Sequence, residues 1–335
     1  MTRYGLLLPH FGQEARRDDL LAGARRAEAL GFDSVWVRDH LVYEPHGEME
    51  KPDRTFWEPL TTLTAVGAVT SRIRLGTAAL IPFRHPLVLA QTVTTMTHLV
   101  GPRLVLGFGI GAYDHEFTAV GLGGADRHAL LRANVEVLRR VMVENEVSYQ
   151  DAHVRFERVT IEPKPLGGPV PLWHCGTSPR SARLAVELFD GWMPGRIAMP
   201  TLARRIKTIG ELASAACRPR PAIGVIPPTS VGSTREEALA PVNVPGLLAW
   251  ANKSRFAVRP ASGRFETVAD LEGQLVAGSP DDVAAECMRF EALGVDQLVF
   301  DLRFRFDCWL EQVERLGEEV LPRLGPRSPG QGGAP

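Results

Sequence analysis

His40 is the residue best suited to chemistry. An imidazole titrates near neutral pH and can exchange a proton with a reacting group. It follows an apolar run, Phe32 to Val37, at the end of Val37-Arg38-Asp39-His40. Asp39 is placed to orient or charge the ring, although neighbouring residues of a strand point to opposite faces. A packed histidine at a strand end is the alternative.

A second pattern suits an anion. Gly176-Thr177-Ser178-Pro179 precedes a helical stretch that runs to Phe189. Ser178 is a good N-cap and Pro179 a good first helical residue. A helix start offers free N–H groups and the positive end of a dipole, which suits phosphate. Gly176 permits close approach, and Arg196, after a later strand, is placed to add a cation. An ordinary capped helix is the alternative; Gly278-Ser279-Pro280-Asp281 reads as one, since its acids repel phosphate.

A third pattern is the alternation of Gly107, Gly109 and Gly111. It lets something approach the backbone at a strand end. The same stretch fits a loose dinucleotide fingerprint, G-x-G-x-x-A. That fingerprint belongs in a chain's first βαβ unit, followed by a strand ending in an acid. Here it comes third or fourth and a long helix follows, so we reject it. Arg303, Phe304 and Arg305 follow the last strand and suit a pocket or its rim. His85, His98, His115, His128 and His153 lack a metal-ligand spacing.

The elements that carry these residues form a repeated pattern. Tyr4–Leu8, Phe32–Val37, Ile73–Ile81, Arg103–Gly109, Val170–Cys175, Asp190–Pro194, Ala222–Ile226 and Asp296–Asp301 read as buried strands. They are apolar without alternation, as in parallel sheets. Asp18–Leu30, Glu58–Val69, Pro86–Leu99, Arg127–Val143, Leu202–Cys217, Pro280–Leu293 and Trp309–Leu321 read as helices between them. Thr234–Ala251 reads as a helix broken near Pro241 and Pro245, and Val147–Ile161 as a hairpin. Leu41–Phe56 is a polar loop and Asn252–Gln274 an irregular insertion.

Glu28-Ala-Leu-Gly-Phe-Asp33-Ser-Val-Trp36 is echoed by Glu291-Ala-Leu-Gly-Val-Asp296-Gln-Leu-Val299. The same helix stop and strand start recur near both ends of the chain, as in a closed βα repeat. We expect a single-domain (β/α)8 TIM barrel over residues 1–324, with insertions, and a disordered Gly/Pro-rich tail over 325–335. A doubly wound sheet is the structural alternative. In such a barrel, function gathers where the strands end. That filter keeps Pro9-His10-Phe11, Asp39-His40, Thr77-Ala78-Ala79, Gly109-Ile110-Gly111, Gly176-Thr177-Ser178, Pro194-Gly195-Arg196 and Asp301-Leu302-Arg303.

Composition excludes some classes. The chain has 335 residues, 44% of them hydrophobic, and a net charge of −1. Near-neutral charge gives no support for nucleic acid or a membrane surface. No apolar run approaches the ~18 residues of a membrane helix, and the start lacks signal-peptide features. Cys175, Cys217, Cys287 and Cys308 stand far apart, without C-x-x-C, which fits free thiols in a reducing cytoplasm.

Several blocks together resemble the bacterial luciferase-like family of flavin and deazaflavin enzymes. They are Arg72-Ile-Arg-Leu-Gly-Thr77, His85-Pro86 to Gln91, and Pro102-Arg-Leu-Val-Leu-Gly-Phe-Gly-Ile-Gly111 with its acidic loop. The similarity spans Tyr4 to about Leu321. It implies that His40 lies beside an isoalloxazine-type ring. It implies a non-proline cis peptide at Ala78–Ala79, with Thr77, Ala78 and Ala79 under the cofactor. It also implies that Gly109, Gly111, Gly176, Thr177, Ser178 and Arg196 contact the cofactor, with its phosphate at the Gly176 block. Two departures stand out. Cys175 replaces a glycine, and Ala112 replaces a glutamate found in the deazaflavin-dependent glucose-6-phosphate dehydrogenases. Asp114, His115 or Glu116 is placed to substitute for that acid.

The implied activity is hydride transfer between coenzyme F420 and a small organic substrate, with His40 handling the proton. An FMN-dependent monooxygenase and a non-catalytic flavin-binding barrel are the alternatives. We expect a cytoplasmic homodimer without metal.

Overall fold

The computed structural model describes residues 1–45 and 50–325. The expected tail beyond Gly325 lies outside the described residues, as does part of the 41–56 loop. Eight parallel strands close a barrel: β1 (Arg3–Leu7), β2 (Ser34–Val37), β3 (Arg74–Leu80), β4 (Leu104–Phe108), β5 (Leu172–His174), β6 (Gly191–Trp192), β7 (Ala222–Val225) and β8 (Gln297–Phe300). β1 pairs with both β2 and β8, which closes the ring. The expected barrel is present.

Helices stand between the strands: α1 (Arg17–Ala29), α2 (Pro59–Gly67), α3 (Pro86–Val100), α4 (Asp114–Ala119), α5 (Arg127–Val141), α6 (Pro179–Leu188), α7 (Met199–Ala215), α8 (Arg235–Leu239), α9 (Val244–Lys253), α10 (Pro280–Ala292) and α11 (Trp309–Arg315). Their starts follow from local chemistry. Glu58 caps α2 through Thr61 N at 2.7 Å, and Asp126 caps α5 through His128 N at 2.9 Å. Ser279 and Asp282 form a reciprocal capping box on α10, as expected of an ordinary helix start.

The internal echo has a structural job. Asp33 and Asp296 occupy equivalent places and each accepts a backbone N–H from a neighbouring strand. Asp33 takes Tyr4 N at 2.8 Å, and Asp296 takes Ile223 N at 2.7 Å. Glu28 and Glu291, also equivalent, reach the chain just ahead of another strand. Glu28 accepts Ile73 N at 2.8 Å and Glu291 accepts Thr2 N at 3.4 Å. The repeated acids therefore tie each βα unit to the next.

Two indoles fill the barrel. The Trp36 and Trp173 rings lie 5.9 Å apart, centroid to centroid. A Cβ on Gly76 would stand 2.4 Å from Trp36, and one on Gly191 2.4 Å from Trp173. Glycine is required there because the indoles occupy the volume of a side chain.

Three features differ from expectation. The stretch after β4 begins α4 where a polar loop was expected; Asp114 and Glu116 in its first turn suit a helix start. A small parallel sheet joins Thr229–Val231 to Val276–Gly278, a pairing too distant in sequence for local periodicity to reveal. The final helix widens into a π turn over Leu316–Val320, where Gly317 packs on Leu30. The hairpin forms as expected, Val147–Gln150 with Arg155–Val159. Asn243 caps α9 after the break at Pro241, and Leu247, Ala251, Phe265, Leu271 and Leu275 form a satellite core beneath the insertion.

Candidate active site

The C-terminal strand ends bring most of the sequence candidates to one rim. His40 sits three residues beyond β2. Its Nδ1 lies 3.1 Å from Glu116 Oε1 on α4. Its Nε2 lies 3.3 Å from an Arg38 guanidinium nitrogen. An arginine N–H can only donate, so Nε2 presents its lone pair to Arg38 and Nδ1–H donates to Glu116. The rings of Tyr43, Phe56 and Tyr113 stand 5.2, 5.2 and 5.5 Å from the imidazole. They leave only 8% of its side chain exposed.

Glu116 is buried. Burial raises its carboxyl pKa, but hydrogen bonds from His40, from Leu41 N at 2.8 Å and from Val42 N outweigh that and hold it below the usual range. It is a fixed anion against the imidazole. Of the three acidic-loop candidates, Glu116 is the one that meets His40. Asp114 pairs with Arg127, and His115 Nε2 donates to Val42 O at 2.8 Å.

Asp39 has a different task from the one expected. Its carboxylate accepts Ile81 N at 2.9 Å and an Arg84 nitrogen at 3.0 Å. These partners draw it to Arg84 rather than to His40. It ties the chain beyond β2 to the chain beyond β3. Behind this segment, buried His10 accepts Arg38 N at 3.0 Å on Nε2, and its Nδ1–H donates to Leu8 O at 2.9 Å. Burial, chiefly, pulls its pKa down to about 4, so it is neutral at pH 7.

β3 carries an irregularity between Thr77 and Leu80, and the Ala78–Ala79 peptide is cis. Thr77 is buried, with its hydroxyl donating to Gly107 O at 3.0 Å. A Cβ on Gly109 would stand 3.4 Å from the Ala79 methyl. The surface here is therefore built of backbone and methyl groups, which fits a flat ring. Gly107 and Gly111 have packing reasons instead. A Cβ on Gly107 would meet Thr77 O at 2.2 Å, and one on Gly111, at φ +75°, would meet Phe117 at 2.7 Å.

A buried charge cluster lies beside His40. Glu50 Oε1 accepts from Arg38 at 2.9 Å and from Arg303 at 2.5 Å; Glu50 Oε2 accepts from Tyr43 Oη at 2.6 Å. Arg303 Nε also donates to Asp301 Oδ2 at 2.7 Å. Arg305 turns to Cys308 and Ser230 instead. Arg196 stacks over Trp250, 4.5 Å from its centroid, within electrostatic reach of Arg303, Asp301, Arg38 and Glu50. Its Nε is buried without a hydrogen bond among the described residues. Burial first, then Arg303, pulls its pKa down to about 9, which leaves it charged at neutral pH.

The start of α6 is capped by Ser178 Oγ, which accepts Ser181 N at 3.1 Å. A Cβ on Gly176 would stand 2.4 Å from Ser181 Oγ. The amide N–H groups of Gly176, Thr177 and Ser178 have no acceptor among the described residues. They fit a phosphate oxygen. Cys175 is a packing group; burial pushes its thiol up to about 12. No group of His, Cys, Asp and Glu suited to a metal ion occurs among the described residues.

A closed βα barrel with a buried histidine–carboxylate pair and a helix start with open amides on one rim defines the class. The chain belongs to the luciferase-like monooxygenase family, whose sequence model matches residues 2–297. An F420-dependent glucose-6-phosphate dehydrogenase of Intrasporangium calvum is 35% identical over 176 residues. That alignment covers 50% of this chain and 51% of the relative, so the chain spans about half the length of that curated relative. The enzyme of the same name from Amycolatopsis mediterranei is 27% identical over 326 residues, covering 91% and 94%. Among solved structures, an F420-dependent secondary alcohol dehydrogenase in complex with an F420-acetone adduct superposes with a TM-score of 0.76. It is 21% identical and the match covers 97% of this chain and 99% of that one. At that identity the superposition shows a shared fold.

Three site residues carry no clear signal in the sequence. Glu50 lies in a loop without a pattern, Arg303 follows a strand end among other candidates, and Glu116 was one of three equal candidates.

Proposed function

We propose that this protein is a coenzyme F420-dependent oxidoreductase that oxidises an alcohol carbon of a small organic substrate, or runs the reverse reduction. The observation that carries this reading is the His40–Glu116 pair. Thr77, Ala78, Ala79 and Gly109 would lie under the ring, and Gly176, Thr177 and Ser178 would hold the phosphate. When bound, the deazaflavin supplies a two-electron hydride acceptor or donor. His40 Nε2 would take the hydroxyl proton of the substrate as its carbon loses a hydride, once the Arg38 N–H that its lone pair accepts yields to the substrate. Glu116 holds Nδ1–H and stabilises the imidazolium that forms. The aromatic rings around His40 keep water from competing for that proton.

Arg196 and the cluster of Arg303, Asp301 and Glu50 suit contact with the substrate or the cofactor. Asp39 acts through Arg84, as a positioning residue for the segment that carries His40. Ala112 removes the acid of the sugar-phosphate enzymes, so glucose 6-phosphate is not the substrate we favour.

Cofactor titration tests this reading. Tight binding of F420 with FMN ignored supports it. Tight binding of FMN with F420 ignored favours the flavin-dependent monooxygenase, a reading consistent with the family as a whole.

A homodimer fits the outer face of α3. Val88 and Leu99, three turns apart on one side, are 60% and 66% exposed, and Leu166 nearby is 45% exposed. No helix of the described residues is long and apolar enough to cross a membrane. Free cysteines at 175, 217, 287 and 308 suit a reducing cytoplasm.

A further inference from the structure

The cradle at the start of α6 presents three unpartnered amide groups and the positive end of a ten-residue helix. A helix start alone does not make a ligand site. Here a second feature points into it. Arg205, on α7, is only 5% exposed. Its Nε reaches Thr177 O at 3.4 Å, a long contact at the heart of the cradle. Its two terminal nitrogens have no hydrogen-bond partner, and no carboxylate pairs with it, among the described residues.

An arginine taken out of water without an anion is costly. Two other guanidiniums held within this fold are answered. Arg303 has Asp301 and Glu50, and Arg103 bonds four backbone carbonyls, those of Val100, Ile73, Gly67 and Thr70. Arg205 has one weak carbonyl contact. The neighbouring histidine does not supply the missing charge balance. His174 Nδ1–H donates to Phe108 O, 3.2 Å away, and burial pulls its pKa down to about 4, so it stays neutral.

We propose that Arg205 is the cation that binds the phosphate of the cofactor, with the amides of Gly176, Thr177 and Ser178 completing the anion site. The inference rests on the proposed cofactor class and deepens it. Arg196, within electrostatic reach of Asp301 and Glu50, is then free for the substrate side of the mouth. A planar guanidinium suits this role because it presents parallel donors to two phosphate oxygens while Nε stays on Thr177 O.

The test uses a pair of ligands that share the deazaflavin ring and ribityl chain. FO ends at the ribityl hydroxyl, whereas F420-0 adds the phosphate and its lactyl group. Binding is read by quenching of deazaflavin fluorescence, independently of turnover. Arg205→Gln keeps a donor near Thr177 O and removes the charge. It should weaken F420-0 binding by roughly tenfold to a hundredfold and FO binding by less than about threefold. Arg205→Lys should recover part of the F420-0 affinity, and salt should weaken F420-0 binding to wild type more than to Arg205→Gln.

Equal losses for both ligands would mean that Arg205 only supports the fold, and the proposal falls. Unchanged F420-0 affinity in Arg205→Gln overturns it as well, as does an F420-0-specific loss seen in Arg196→Gln but not in Arg205→Gln. Should Arg205→Gln fail to fold, the Arg205→Lys pair of affinities and the wild-type salt dependence decide: salt-insensitive F420-0 binding overturns the proposal. Wild-type protein that binds neither FO nor F420-0 removes the cofactor reading itself, a failure distinct from the others.

Discussion

Glu116 Oε1 lies 3.1 Å from Nδ1 of His40, although 76 residues separate the two in sequence. Neither residue is on a barrel strand. His40 follows β2 and Glu116 is on α4, after β4, so the closed sheet is what brings them together. The carboxylate also accepts Leu41 N at 2.8 Å, which fixes it against the segment carrying the imidazole. One ring nitrogen is thus held by Glu116, and the other accepts from Arg38.

Replacing His40 with Ala should lower turnover by roughly 10²–10⁴-fold, the usual worth of a positioned acid or base. Cofactor affinity should change far less. Steady-state kinetics beside fluorescence titration separates the two quantities. Unchanged turnover would return His40 to a packing role.

Glu116→Gln tests the partner without removing a hydrogen-bonding group. The amide has no charge to stabilise the imidazolium, and its NH2 end can present a donor to Nδ1 and select the wrong tautomer. Turnover should fall by at least about tenfold with the Michaelis constant little altered. A loss confined to the Michaelis constant would place Glu116 in substrate binding instead.

The barrel was legible because each of its signals is local. Unalternating apolar runs gave the strands, and Ser178-Pro179 and Ser279-Pro280 gave helix starts that the side-chain caps bear out. The echo of Glu28 to Trp36 by Glu291 to Val299 was legible for a physical reason: the same acids tie adjacent strands in both copies. The site was only partly legible. His40 could be found from its place at a strand end, but its partner could not, because the direction of a side chain from a short helix depends on the whole ring. Asp39 was drawn to His40 by adjacency in sequence, yet its partner is Arg84. Arg205 lacks any pattern in the sequence, and only its burial beside Thr177 marks it.

Gly176 offers a test of the cradle's packing. A methyl there would stand 2.4 Å from Ser181 Oγ and 3.2 Å from its Cβ. Gly176→Ala should cost about 1–3 kcal/mol of stability, as overpacking does. Adding Ser181→Ala removes the hydroxyl and should recover at least half of that loss. Denaturant titration of the two variants checks this coupling; purely additive losses would show that the hydroxyl is not the obstacle.

The buried histidines predict how stability depends on pH. In the folded protein His10 titrates at about 4, against an ordinary value of 6.5, chiefly because burial penalises the imidazolium. His174 is lowered to about 4 by the same cause. As pH falls below about 6.5 the unfolded chain takes up protons that the folded chain refuses until about pH 4. Stability is therefore full above the unfolded value and declines through this window. His10 alone would account for on the order of 3 kcal/mol across the whole interval. Glu116 has the opposite chemistry: its folded pKa lies below the carboxylate value of 4.5, so its contribution is kept down to that pH and lost only below it. The interval from about 6.5 to 4.5 thus isolates the histidines. Urea midpoints measured across it should fall steadily for the wild type and less steeply for His10→Gln, which cannot take up the proton. An equal slope in both proteins would show that His10 is not held neutral by the fold.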